Sequence, residues 1–125
     1  MLSFPPSPQV RIFVCREPVD MRKSFNGLSG VVIDTVDQDP QSGHLFLFFN
    51  RRLSMMKALV WEQTGYWILS KRLSGGRFEV FDRVSKDKHS FELSSCDLAL
   101  LLDGIDLRGA KRNIGIFETK ALLNS

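Results

Sequence analysis

Cationic and aromatic side chains are concentrated in the middle of this 125-residue chain. Between Arg51 and Lys88 there are nine cations and four anions, whereas the whole chain has a net charge of only +3. The same segment contains both tryptophans and the only tyrosine. Lysines and arginines bind phosphate groups, and aromatic rings between them can stack on bases. The central segment is therefore the candidate surface for a polyanion.

Catalytic chemistry has no comparable support in the sequence. The chain contains no G-x-S-x-G elbow, no phosphate-binding P-loop and no G-x-G-x-x-G turn. His44 and His89 are isolated, and no Cys or His spacing is typical of a zinc site. Several carboxylates could supply ligands for a metal-dependent nuclease, but their spacing selects no set. We therefore predict no catalytic residue, no metal and no cofactor, and keep a metal-dependent nuclease as a distant alternative.

Length and composition fit one ordinary globular domain, with 43% hydrophobic and 25% charged residues. No apolar run approaches the ~20 residues that cross a bilayer, and the first residues do not resemble a secretory signal. We expect a cytoplasmic protein with no membrane partner, in which Cys15 and Cys96 are buried free thiols. The predicted organisation is a flexible proline-rich arm at 1–8, a single α+β domain at 9–108 and a partly ordered basic tail at 109–125.

Hydrophobic periodicity predicts the order in which strands and helices follow one another. Five segments alternate apolar residues or contain continuous apolar runs, which is typical of strands. Two further segments repeat apolar residues at helical spacing. This order is typical of a compact α+β fold with a mostly antiparallel sheet and two packed helices. The predicted strands are 9–16, 45–49, 55–62, 66–73 and 77–81, and the predicted helices begin at Met21 and Ser94.

Two cations fall at the predicted start of the first helix. Asp20 is a good N-cap for a helix that begins at Met21, which places Arg22 and Lys23 in its first turn. The helix dipole disfavours cations there, whereas free backbone N–H groups at a helix start bind phosphate. Both side chains are therefore either phosphate ligands or solvated groups on an exposed face. The predicted core face of this helix is Met21, Phe25, Leu28 and Val32.

The hairpin formed by the third and fourth strands has a predicted register. Pairing Glu62 with Tyr66 puts small apolar residues on one face and larger or charged residues on the other. Two lysines that lie opposite each other repel unless an anion lies between them, either a phosphate or an acidic side chain of the protein itself. The tryptophans could stack on bases or form a buried pair. On the charged face, the register pairs Trp61 with Trp67, Leu59 with Leu69 and Lys57 with Lys71.

The second helix has several signals that agree. Ser94 and Asp97 form an S-x-x-D capping box, and Leu93 and Leu98 can form a hydrophobic staple. Gly104 follows the last apolar turn and is predicted to end the helix. The role of this helix is packing. Its predicted core face is Leu98, Leu101, Leu102 and Ile105.

Short motifs along the chain occur in an order that resembles one known family. They are DMRKSFNGL at 20–28, DP at 39–40, SGHLF at 42–46, NRR at 50–52, KALVWE at 57–62, GY at 65–66, KRL at 71–73, GRF at 76–78 and LLDGI at 101–105. The ordered set is similar to the TnpB accessory proteins, the "second open reading frame" family of the sixty-six class of bacterial insertion sequences. The resemblance implies a supporting role in transposition beside a separate, larger DDE-type transposase. The RNA-guided nuclease that shares the name TnpB is an unrelated and much longer protein.

The chain departs from the pattern of that family in three places. Family members continue the run at 50–52 with further charged residues, whereas residues 53–56 are LSMM here. Ser24 stands where a glycine is usual, and Glu79 and Val80 stand where Trp-Pro often follows. The first difference lowers the positive charge of the connection at 51–57.

The basic segment and the resemblance together predict a non-catalytic accessory protein of insertion-sequence transposition that contacts DNA. A second hypothesis is a protein-interaction module that docks onto the cognate transposase or another transposition protein through a tryptophan face with a cationic rim. Trp61 and Trp67 are the candidate stacking or docking residues. The predicted phosphate-contacting residues are Arg22, Lys23, Arg51, Arg52, Lys57, Lys71, Arg72 and Arg77.

Overall fold

Five strands and two helices form along residues 9–79 and 88–103, which are the residues that the computed structural model describes. The predicted arm at 1–8 and the predicted tail at 109–125 lie outside these ranges, as do Gly104 and Ile105. In chain order the elements are β1 (Ile12–Cys15), α1 (Phe25–Val31) with a π-helical continuation (Val32–Val36), β2 (Leu45–Phe49), β3 (Met55–Glu62), β4 (Gly65–Arg72), β5 (Ser90–Leu93) and α2 (Ser95–Leu102).

The five strands form one sheet in the order β4-β3-β2-β1-β5. β1 and β2 are parallel, because α1 and its π-helical continuation carry the chain back between them. The other three neighbouring pairs are antiparallel. The predicted α+β fold with a mostly antiparallel sheet and two packed helices is therefore confirmed.

Each face of the sheet is covered by a helix. Leu28 of α1 packs with Phe46 and Leu59 on one face, which we call the α1 face. Leu98 of α2 packs with Leu47 on the other, which we call the α2 face. All five residues of β2 are buried, since this strand lies in the middle of a sheet that is covered on both sides. The continuous apolar run at 45–49 predicted this burial.

The register of the β3–β4 hairpin differs by one residue from the prediction. Glu62 pairs with Gly65, so the loop contains two residues, Gln63 and Thr64, rather than three. Gln63 has a φ of 55° and so adopts the left-handed conformation that a tight hairpin turn requires. Gly65 is thereby available to start β4. Relative to β3, every residue of β4 lies on the face opposite to the predicted one.

The first helix begins later than predicted, at Phe25, with Ser24 as its N-cap residue. Asp20 does not cap the helix, because its carboxylate accepts a hydrogen bond from the backbone N–H of Arg22 at 2.9 Å and closes a separate turn. Phe25, which we predicted in the core, is 45% exposed, whereas Leu28 is fully buried as predicted. The helical face that packs on the sheet therefore starts one turn further along the chain.

Phe78 does not lie in a strand, and the predicted strand at 77–81 is wrong for residues 77–79. Phe78 instead inserts into the core of the α2 face, where its ring centroid is 5.5 Å from that of Phe49. The sheet contains β5 in place of this strand. We did not predict β5 from the sequence; it has only four residues and pairs with β1 through Cys15 and Ser90 among others.

The start of α2 is confirmed. The Ser94 hydroxyl accepts a hydrogen bond from the backbone N–H of Asp97 at 3.0 Å, and Leu98 is fully buried. Cys15 is buried as predicted, but the prediction of a buried thiol is wrong for Cys96, which is exposed. Cys96 precedes Leu98 by two positions, and residues with this spacing lie on different sides of a helix.

Candidate nucleic-acid interface

One end of the sheet collects cations from segments that are far apart in sequence. β1 and β2 both end there, whereas β3 and β5 run in the opposite direction and begin there. β4 also ends there, because it is antiparallel to β3 and its last residue pairs with the first residue of β3. We call this the basic end. Within residues 9–79 and 88–103, its exposed cations are Arg51, Arg52, Arg72, Arg77 and Lys88.

The turn between β2 and β3 presents two of these arginines. The Asn50 side chain holds the turn, because its Oδ1 accepts hydrogen bonds from the N–H groups of Ser54 at 2.9 Å and Met55 at 3.1 Å. The Asn50 amide also donates to the Ser54 hydroxyl at 2.9 Å. Arg51 and Arg52 lie at the tip of this turn and are exposed. The fixed backbone therefore holds both guanidinium groups at the edge of the basic end.

Arg72 and Arg77 reach the basic end from the segment that includes and follows β4. Arg72 is the last residue of β4 and is exposed. The N–H of Phe78 donates to the carbonyl of Leu53 at 2.6 Å, which holds the preceding Arg77 beside the β2–β3 turn. The guanidinium Nε of Arg77 lies 4.0 Å from a carboxylate oxygen of Glu79, too far for a hydrogen bond. Both arginines therefore face solvent next to the turn.

The opposite end of the sheet is acidic. β1 and β2 begin there, and the β3–β4 turn lies there. Arg11 is also at this end, but it donates two hydrogen bonds to the Glu92 carboxylate, at 2.8 and 3.0 Å. These bonds lower the pKa of Glu92 and neutralise the arginine. Among the residues that the structure describes, Asp37, Asp39 and Glu62 also place carboxylates at this end.

Arg22 and Lys23 do not form the predicted phosphate site at a helix start. α1 begins at Phe25, so neither residue lies in its first turn. The Arg22 guanidinium donates to both carboxylate oxygens of Asp20, at 3.1 and 2.7 Å, and these hydrogen bonds lower the pKa of Asp20 to about 2. Arg22 therefore belongs to an ion pair with no net charge, whereas Lys23 is exposed.

Lys57 and Lys71 lie on opposite faces of the hairpin, so the predicted pair of opposed lysines is wrong. The one-residue difference in register turns Lys71 onto the α2 face, where its ammonium group donates to the carbonyl of Leu102. The Lys57 ammonium group donates to the carbonyl of Lys23 at 2.8 Å on the α1 face. Each lysine thus links the hairpin to a neighbouring segment of the fold.

Trp61 and Trp67 are also separated onto different faces, so the predicted shared tryptophan face is wrong. Trp61 contacts Tyr66 edge-on at a centroid distance of 5.0 Å, and Tyr66 stacks on Phe25 at 6.4 Å. Trp67 is 51% exposed, and its indole N–H donates to Glu62 at 3.0 Å. At about 3.4 Å per residue, the length of β3 puts both tryptophans roughly 20 Å from the β2–β3 turn. They cannot stack on a base whose phosphate is bound at the basic end.

A family model described as IS66 Orf2 like protein matches residues 10–112. The chain belongs to this family. It is 34% identical over 107 residues to the uncharacterized protein y4jC of Sinorhizobium fredii (strain NBRC 101917 / NGR234), with 86% of this chain and 89% of that protein covered. It is 33% identical over 104 residues to the uncharacterized protein y4hO of the same organism, with 83% and 88% covered. No solved structure matches the chain.

Membership of the IS66 Orf2-like family confirms the resemblance that the sequence motifs indicated. The family is one of accessory proteins, and its function is a supporting role in the transposition of an insertion sequence. The matched range, 10–112, includes every residue of the basic end.

Two cations of this IS66 Orf2-like protein reach the basic end without having been predicted as site residues, Arg16 and Lys88. The Arg16 guanidinium lies over the ring of Phe91 at 5.5 Å, and its backbone N–H donates to the carbonyl of His89 at 2.8 Å. The pairing of β1 with β5 brings these segments to the β2–β3 turn, and that pairing has no local signal in the sequence. A pocket of about 290 Å³ lies between the end of β1, the β2–β3 turn and β5. It is lined by Cys15, Arg16, Glu17, Pro18, Phe49, Asn50, Arg51, Leu53 and Phe91.

Metal ligands do not converge in the part of the chain that the structure describes. Within residues 9–79 and 88–103, no three His, Cys, Asp or Glu side chains are close enough together to hold a metal ion. The carboxylates of Asp20 and Glu92 are instead bonded to arginines. In the same ranges, neither helix has the length and apolar character needed to span a bilayer.

Proposed function

We propose that this IS66 Orf2-like protein is a non-catalytic accessory protein of transposition that contacts the phosphate backbone of DNA through its basic end. The observation that carries the proposal is the separation of charge along the sheet. Exposed arginines from the β2–β3 turn, from β4 and from the segment after β4 meet at one end, where they outnumber the carboxylates Glu17 and Glu79, and the carboxylates Asp37, Asp39 and Glu62 lie at the other. Such a distribution attracts a polyanion to one end and repels it from the other.

Arginine suits this role because its planar guanidinium group can donate two parallel hydrogen bonds to a phosphate. The hydrogen bonds of Asn50 hold Arg51 and Arg52 on a fixed turn, so little backbone entropy is lost when they bind. Arg72 and Arg77 extend the same surface, and Lys88 lies at its other side. Arg22, Lys57 and Lys71 contribute less, because Asp20 or a backbone carbonyl already accepts their hydrogen bonds.

DNA binding can be tested by fluorescence anisotropy with labelled duplex and single-stranded oligonucleotides. We expect binding that weakens steeply between about 50 and about 200 mM salt, because each phosphate contact releases counterions. The same DNA, incubated with the protein and Mg²⁺ or Mn²⁺, should remain intact. If the protein binds neither duplex nor single-stranded DNA at the lowest salt concentration, the proposed contact is contradicted. Metal-dependent cleavage of the DNA would contradict the non-catalytic role.

A second candidate function is docking onto the cognate transposase, and one observation favours it. Phe25, Tyr66 and Trp61 form a row of ring contacts at the surface of the α1 face, and Phe25 is 45% exposed. Partly exposed aromatic clusters of this kind are enriched at protein interfaces. In a pull-down with the cognate transposase, Phe25→Ser should abolish capture if this surface docks, whereas Arg51→Gln with Arg52→Gln should leave it unchanged. The opposite pattern would assign any transposase contact to the basic end instead.

A further inference from the structure

β4 is an edge strand, and no strand within residues 9–79 or 88–103 lies beside its outer edge. It has eight residues, and its Trp67 side chain is 51% exposed. A long edge strand with apolar residues pairs readily with another strand. We propose that β4 pairs antiparallel with β4 of a second copy of this chain, which joins the two sheets into one. This proposal does not require DNA binding, although Arg72 belongs to both surfaces.

The hydrogen bonding of the hairpin determines which β4 residues present their backbone groups outward. Glu62 and Gly65 flank a two-residue turn, so their backbone groups face each other, and the direction alternates along the strand from there. Leu73 has the same phase as Gly65, and its N–H donates inward to the carbonyl of Ser54 at 2.9 Å, as this alternation requires. The outward-facing residues are therefore Tyr66, Ile68, Ser70 and Arg72.

One antiparallel register uses all four of these residues. If Leu69 lies on the two-fold axis, Tyr66 pairs with Arg72 of the second copy, and Ile68 pairs with its Ser70. Moving the axis to Ile68 would place Arg72 opposite the hairpin turn, and moving it to Ser70 would leave Tyr66 without a partner. The register centred on Leu69 therefore forms the largest number of backbone hydrogen bonds.

The same register also keeps the cations of the two copies apart. Residues directly opposite each other point to the same face, so Lys71 of one copy lies beside Trp67 of the other on the α2 face. On the α1 face, Arg72 lies beside Tyr66. Each cation thus meets an aromatic ring, which is a favourable contact, and no two cations lie opposite each other. The pairing covers Trp67, the most exposed aromatic side chain of β4.

Sedimentation equilibrium of the full chain tests the proposal directly. We expect a mass of twice 14.2 kDa that falls to that of one chain on dilution. Trp67→Lys places two lysines opposite each other, and it should raise the dissociation constant about tenfold or more. Combining Trp67→Lys with Lys71→Glu sets opposite charges across the interface and should restore much of the affinity. Positions 67 and 71 of one copy are about 13 Å apart along the strand, so this restoration requires two copies.

Gln9→Lys is the matched control, because it adds the same charge at an exposed position just before β1, which β2 and β3 separate from β4. It should leave the dissociation constant unchanged, and circular dichroism should show that all variants are folded. In hydrogen exchange, the amides of Ile68 and Ser70 should become more protected as the protein concentration rises. A mass of 14.2 kDa at every concentration would overturn the proposal. Protection of the Ile68 and Ser70 amides that does not depend on protein concentration would also overturn the proposal, because a segment of the same copy would then cover the edge of β4.

Discussion

Arg22 and Arg51 are both exposed arginines, but their local hydrogen bonds give them different chemistry. Arg22 is bonded to both oxygens of Asp20, so an incoming phosphate would have to compete with a carboxylate that is already in place. Arg51 forms no ion pair with any residue in the described part of the chain. The number of cations in a segment therefore overstates the charge that it offers to a polyanion. The spacing D-x-R at 20–22 is the signal that could have indicated this pairing.

The Asp20–Arg22 pair should be visible in a pH titration. The pKa of Asp20 is lowered to about 2, from an ordinary value of 3.8, mainly because Arg22 donates hydrogen bonds to the charged form. The ion pair therefore stabilises the folded state fully above about pH 4, and this contribution is lost as the pH falls through 2. In an NMR titration of the Asp20 carboxyl carbon, Arg22→Ala should raise the midpoint toward 3.8. Lys23→Ala should change it little, and an equal effect of both substitutions would contradict the assignment.

The two cysteines should differ in their reactivity toward a thiol reagent. Cys15 is buried in β1, and this burial raises the pKa of its thiol, whereas Cys96 is exposed on α2. The thiolate is the reactive form, so the native protein should show one fast-reacting thiol, and unfolding should expose a second. With Ellman's reagent, Cys96→Ser should remove the fast phase and Cys15→Ala should keep it. Two thiols of equal rate in the native protein would be inconsistent with the structure.

At the scale of single elements, strong local signals predicted the structure well. The capping box placed the start of α2, and the run of apolar residues placed β2 in a doubly covered sheet. The hairpin strands were also predicted, but their register depends on the turn, where Gly65 suggested a three-residue loop. The residue with the left-handed backbone conformation is instead Gln63, and the loop has two residues rather than three. This single residue moved Trp67 and Lys71 to the other face, and no local pattern could have shown it.

The turn that carries Arg51 and Arg52 should depend on Asn50. Asn50→Ala removes the acceptor for two backbone N–H groups and leaves them unpaired in a half-buried position. We expect a loss of about 1–3 kcal/mol in the free energy of unfolding, measured by urea denaturation. Arg51→Ala, at the exposed tip of the same turn, should change it by less than about 0.5 kcal/mol. Equal stability of Asn50→Ala and the unmodified protein would show that the side-chain hydrogen bonds do not hold the turn.

At the scale of the whole molecule, the sheet topology is what turns scattered cations into one surface. The family and the supporting role in transposition could be recognised from ordered motifs, and the family match confirmed them. Four of the five exposed cations of the basic end were among the predicted phosphate-contacting residues. Arg16 and Lys88 were not, because their position depends on β1 being parallel to β2 and on the strand β5 beside it. We therefore expect the position of a charge to decide its effect: cations at the basic end should contribute to DNA binding, and the same charge elsewhere should contribute little.

The salt dependence of DNA binding for two variants of equal charge tests this claim most directly. Arg51→Gln with Arg52→Gln lowers the net charge by two at the basic end, and Gln41→Glu with Gln63→Glu lowers it by two at exposed positions around the acidic end. We expect the first variant to lose about 1.8 from the magnitude of the slope of log K against log salt concentration, near 0.9 per phosphate contact. The second should keep the slope of the unmodified protein. Equal slopes for the two variants would contradict the assignment of DNA binding to the basic end.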